Sequence, residues 1–135
     1  MSFTLDLAKF ETKAGVRCDA VIRRLAFELS SSVVRMTPVK TGRARANWLP
    51  MIGALPVSTT EATDKSGGGA INRAKNVIAN FTVGTVYYCA NNLPYIGVLE
   101  DGSSTQAPSG MVHLSMLQLM SRLESVASEA IAEAP

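Results

Sequence analysis

The sequence predicts an α+β domain: a small antiparallel-type sheet packed by a long N-terminal helix and a C-terminal helix. Three observations carry that expectation. Apolar residues recur at steps of three and four from Leu7 to Val33, and again from Val112 to Ile131, the spacing that lays one stripe along a helix. Between them "TVGTVYYCANN" is β-branched and aromatic, the composition of a strand. Helices at both ends with strands between, and no regular βαβ alternation, is the order of an α+β fold. A chain of 135 residues fits one domain that buries roughly two-thirds of its unfolded surface.

The first helix places Leu7, Phe10, Ala14, Cys18, Val21, Ile22, Leu25, Leu29 and Val33 on one face. Asp6 is the expected N-cap, and Pro38 forces the chain out of helix by Thr37. Nearly thirty residues would span ~45 Å, long for a domain of this size, so the helix is expected to protrude or be shared unless Gly15 kinks it. In "TPVKTGRARANWLPMIG", Pro38 and Gly42 mark a turn. Ala44, Ala46 and Trp48 then alternate with Arg43, Arg45 and Asn47, which predicts a strand with one buried face. Pro50 lacks a ladder donor and points to an edge or to the strand's end.

Residues 54–69 hold three consecutive glycines and little apolar periodicity, so a flexible loop with a glycine hinge is expected. "AINRAKNVIANF" predicts a short helix with Ile71, Ala74, Val77 and Ile78 on one side. A strand follows over about Val83 to Ala90, then a helical turn after Pro94 and an irregular arm over 102–110. The last helix is expected from Ser109 to Ala132.

No apolar run approaches the ~20 residues of a membrane span, and "MSFTLDLAKF" lacks the pattern of a secretory signal. Cys18 and Cys89 read as buried thiols of a reducing cytoplasm. Residues 1–50 carry nine Lys/Arg against four Asp/Glu, and residues 91–135 carry one Arg against five Asp/Glu. Such unlike ends suit head-to-tail contact between copies; they equally suit two solvated faces.

Catalytic chemistry finds no support. His113 is the one histidine, no CxxC pair is present, and a zinc site would need two distant cysteines to converge. Glu100 and Asp101 are adjacent and so point apart. "SGGGA" lacks the Lys-Ser/Thr ending of a phosphate loop, and no serine sits in G-x-S-x-G. No catalytic residue, cofactor or metal is therefore expected. Lys40, Arg43 and Arg45 beside Trp48, joined by Arg73, leave a small cytoplasmic nucleic-acid-binding domain as the alternative, although the near-neutral balance of +2 is low for one.

Two stretches carry a family resemblance. Thr37, Pro38, Val39, Thr41, Gly42, Arg45, Asn47 and Trp48 form the first; Asn92, Pro94, Tyr95, Leu99, Glu100 and Gly102 form the second, continued by Ala107, Pro108, Gly110, Met111 and Val112. With the flanking helices they resemble the neck, or tail-completion, proteins of long-tailed bacteriophages, also described as head–tail joining or minor tail proteins. Ala44 stands where many relatives carry a larger apolar residue, and Ile96-Gly97 replaces their Ala-x. The resemblance implies a non-catalytic virion protein, assembled in the host cytoplasm into a six-fold ring. Its partners would be the tail tube or tail terminator and the head connector, with DNA touched non-specifically, if at all, in the lumen. On that reading Arg43, Arg45 and Glu100 are expected to form ion pairs between subunits. The 54–69 loop and the 102–110 arm would order on contact. Tyr95 and Leu99 share one face of a turn, as contact residues or as core; Trp48 reads as core.

Overall fold

Alternation along Val86–Ala90 decides which face of the sheet is inside: Tyr87 and Cys89 are buried, while Val86 and Tyr88 are half-buried. In the computed structural model, which describes residues 2–6 and 18–133, this strand lies at the centre of three. The described elements are β1 (Ser2–Asp6), α1 (Cys18–Met36), α2 (Arg43–Ala46), β2 (Leu49–Ile52), α3 (Gly68–Ile78), β3 (Val86–Ala90), α4 (Ile96–Glu100), α5 (Val112–Ser121) and α6 (Leu123–Glu133). The strand order is β1-β3-β2 with both pairings antiparallel. β1 and β2 are thus edges, and Pro50 sits on one, where its missing N–H does no harm.

α1 is the organising helix. Ile22, Leu25, Ala26, Leu29, Val33 and Val34 are buried along it, and it packs against α3, α5 and α6. Its stripe meets Tyr87 and Cys89 of the sheet, Ala70, Ala74 and Ile78 of α3, Phe81 and Met111 in one core. Ser30 is fully buried yet satisfied, its Oγ sharing a 2.8 Å hydrogen bond with the Tyr87 hydroxyl. Fully burying a large apolar side chain stabilises by ~1.5–3 kcal/mol, so this cluster dominates the fold.

The α+β class and the long N-terminal helix agree with the sequence. Several local expectations do not. Asp6, expected to cap α1, instead ends β1 opposite Val86; the predicted helical stretch from Leu7 to residue 17, with the Gly15 kink, lies outside the described residues. The strand expected at Arg43–Trp48 is a turn of helix, α2, closed by Ala46 N–H to Gly42 O at 3.0 Å and Asn47 N–H to Arg43 O at 3.1 Å. The ladder begins only at Leu49. β3 starts at Val86 rather than Val83, because Thr85 N–H bonds Thr82 O at 3.2 Å in a turn and the Asp19 carboxylate takes the Val83 N–H at 2.9 Å. The C-terminal helix is interrupted at Arg122, whose N–H reaches Leu119 O at 3.0 Å.

The charged ends of the chain meet within one molecule. Arg24 of α1 binds Glu28 at 3.3 Å, Glu129 at 3.3 Å and Glu133 at 3.1 Å. Arg122 lies 3.9 Å from Glu28. Each exposed pair contributes little alone, but together they join α6 to α1 and neutralise part of the asymmetry that the sequence displays.

Candidate functional site

The two stretches that carry the resemblance come together as the walls of an open groove of about 580 Å³. One wall is Pro38–Ala44; the other is Tyr95 and Leu99 with Ser104 and Gln106.

The first wall is held by side chains bonded to backbone. Thr37 Oγ1 donates to Val33 O at 2.7 Å, so it closes α1, and accepts from Trp48 Nε1 at 2.8 Å. Trp48 is 1% exposed, which confirms it as core. The Arg45 guanidinium donates to three carbonyls: Thr37 O at 2.9 Å, Lys65 O at 2.8 Å and Arg35 O at 2.8 Å. A planar fork with five donors suits three acceptors around it. Gly42 has φ +91°, and a Cβ there would lie 2.6 Å from Lys65 N; only glycine fits.

The second wall begins at Asn91, fully buried, whose Nδ2 donates to Ala44 O at 2.8 Å while its Oδ1 accepts from Leu93 N–H at 3.2 Å. This ties the segment between β3 and α4 to α2. Leu99 packs on the core, whereas Tyr95 is 41% exposed. Glu100 reaches forward to the start of α5: Oε1 accepts from Met111 and Val112 N–H, both at 2.9 Å, and Oε2 from His113 N–H at 3.0 Å. A carboxylate at a helix N-terminus satisfies orphan donors and opposes the dipole. The 102–110 arm folds back on its own chain, since the Gln106 side chain accepts from Val39 N–H at 2.8 Å and donates to Val39 O at 3.1 Å.

The 54–69 loop, expected to be flexible, is tied in the same manner. Asn47 donates to Thr60 O at 3.0 Å and accepts from Thr60 N–H at 2.9 Å. Asn92 donates to Pro56 O and Ser58 O, both at 3.0 Å, and Arg43 pairs with Glu61 at 3.0 Å. The triple glycine is no hinge. Asp64 accepts from Gly67 N–H at 3.0 Å and Ala70 N–H at 2.9 Å, and so caps α3.

Of the residues singled out from sequence, Arg43, Tyr95 and Leu99 line the groove. Arg45 holds three carbonyls of its own chain, and Glu100 caps α5 of its own chain. Arg43 already faces Glu61. Arg73, the fourth cation of the nucleic-acid alternative, donates to Ala46 O at 2.7 Å. Among the described residues, no carboxylate lies within ion-pair distance of Lys40 at the groove rim.

Asn47 and Asn92, which fix the 54–69 loop, stood out in the sequence only as members of the two resemblance stretches, and Asn91 did not stand out. A second surface was misjudged: Met116, Met120 and Leu123, expected on a buried stripe, are 40%, 66% and 43% exposed, beside Leu117 at 51%. The signal was available, since Leu114, Met116, Leu117, Leu119 and Met120 are too many apolar residues for one stripe.

Cys18 and Cys89 are buried and form no disulfide. Burial pushes the Cys89 thiol up to about 12 and raises the Tyr87 phenol as well, so at neutral pH neither is a nucleophile. Among the described residues, no group of three or more His, Cys, Asp and Glu side chains is placed to hold a metal ion, and no helix is long and apolar enough to cross a membrane. The groove therefore offers shape, an aromatic ring and a cation. Comparison with protein-family models, curated proteins and solved structures finds no match.

Proposed function

We propose that this chain is a structural virion protein forming a ring at the head–tail junction of a long-tailed bacteriophage, where it completes the tail and joins it to the head. The observation that carries the reading is the convergence of the two resemblance segments. They lie some fifty residues apart in the chain, yet they wall one groove and are locked to each other by Asn91–Ala44 and Gln106–Val39. Arg45, Glu100, Trp48, Gly42 and Gly110 are the bolts of that framework, which gives a physical reason for a motif without catalytic residues. Exposed Tyr95, Val98 and the α5–α6 ridge then supply contact surface. The partners on this reading are further copies of the chain in a six-fold ring, the tail tube or tail terminator, and the head connector; the protein acts without a cofactor.

Light-scattering mass after size exclusion, at low and high salt and with and without duplex DNA, tests the reading. A ring subunit gives multiples of 14.3 kDa without DNA. A nucleic-acid-binding domain gives a monomer or dimer that shifts only when DNA is added, and that result would remove the proposal.

A further inference from the structure

The geometry points to the occupant of the groove: the apolar ridge of α5 and α6 on a second copy of this chain. The inference deepens the ring-subunit reading and rests on it. Met116, Leu117, Met120 and Leu123 are each at least 40% exposed; the first three are neighbours on α5, and Leu123 follows directly after the break at Arg122. A monomer seldom leaves so much apolar surface together unless something covers it.

Charge selects the groove as the cover. Glu129 and Glu133 are held by Arg24, so Glu124 is the acid of α5–α6 without a cation within ion-pair distance among the described residues. It follows Leu123 directly. The groove presents the complement: exposed Tyr95 and half-buried Val39 and Leu99 as apolar wall, with Lys40 at the rim lacking a carboxylate. Ridge against ridge would leave Tyr95 and Lys40 uncovered, and would offer Glu124 only Arg122, which already lies 3.9 Å from Glu28. Ridge into groove covers both surfaces and brings Glu124 to Lys40, the cation at the groove rim. It is a contact between unlike surfaces, the kind that propagates from copy to copy until a ring closes.

Two substitutions at exposed positions separate the surfaces: Met120→Asp on the ridge and Tyr95→Asp in the groove, each checked for unchanged folding by circular dichroism. Sedimentation velocity over a wide concentration range should show wild-type chain in multiples of 14.3 kDa and each variant at least about tenfold weaker in self-association. Mixed, the two variants should form a pair that grows no further, because each retains one intact surface. Lys40→Glu and Glu124→Lys should each weaken association and together restore it. A Tyr95→Asp chain that self-associates like wild type, or a mixture that forms no pair, overturns the contact. Wild-type rings untouched by either variant overturn it while sparing the ring reading. A wild type that stays monomeric at every concentration also overturns it, and absence of the chain from purified particles removes the ring reading itself.

Discussion

Gly110 and the carboxylate of Glu100 are packed so closely that no side chain fits between them. A Cβ on Gly110 would lie 2.8 Å from Glu100 Oε2 and 2.5 Å from Glu100 O, and Gly110 itself has φ +81°. The glycine lets the acid reach the three N–H groups that open α5. Glu100→Ala should therefore cost ~1–2 kcal/mol, the range for loss of a helix cap. Glu100→Gln, which keeps an acceptor and loses the charge, should cost less. Gly110→Ala should cost at least ~2 kcal/mol, since left-handed strain adds to displacement of the cap. Urea midpoints of the three variants check the order.

Arg45 holds three carbonyls from three segments, so lysine cannot replace it. An ammonium on a flexible stem lacks the fork geometry. Arg45→Lys is expected to lose ~1–2 kcal/mol, close to Arg45→Ala, because the carbonyls of Thr37, Lys65 and Arg35 lose charged donors in both. A lysine variant as stable as wild type would show that charge alone matters there.

Asn47 is fully buried and holds Thr60 by both its amide oxygen and its amide nitrogen. Asn47→Ala should release the 54–69 segment before the core is affected. Limited proteolysis should then cut between Leu55 and Lys65 many times faster than in wild type, while the buried core strands stay protected.

Alkaline pH should destabilise the fold. Below the ordinary thiol range both folded and unfolded chains keep the Cys89 proton, and pH has no effect through it. From there up to about 12 the unfolded chain loses that proton and the folded chain retains it, so stability falls as pH rises. Tyr87 acts in the same direction above the ordinary phenol range, because burial raises it too. Melting temperature should decline progressively from about pH 9. Cys89→Ala should flatten the first part of the decline while lowering the neutral-pH baseline through the cavity it leaves.

The helices were legible because periodicity over many residues averages out local ambiguity: Ile22, Leu25, Leu29 and Val33 are buried as their spacing implies. Short segments were not. Arg43 to Trp48 alternate apolar and polar over six residues, and a single helical turn followed by a bend buries Ala44, Ala46 and Trp48 just as well. The backbone bonds after Gly42 decide between the two, and they are invisible in a period. The glycine run misled for a related reason, since Asp64 three residues before Gly67 was readable as a cap but the close approach of Gly67 to Val34, 2.7 Å from a built Cβ, was not. Arg45 and Glu100 were read as outward charges because sequence shows a charge but not the carbonyls or N–H groups that surround it. Tyr95, Leu99 and Arg43 do reach one groove; membership of the second stretch foreshadowed this for Tyr95 and Leu99, while Arg43 lies between matched residues of the first.

Image reconstruction of purified particles at the head–tail junction, with the chain identified by mass spectrometry, tests the central claim most directly. The expected result is a closed ring of copies in which the α5–α6 ridge of each seats in the Tyr95 groove of the next. Particles that lack the chain, or that carry it as isolated copies with groove and ridge both facing solvent, would contradict the account.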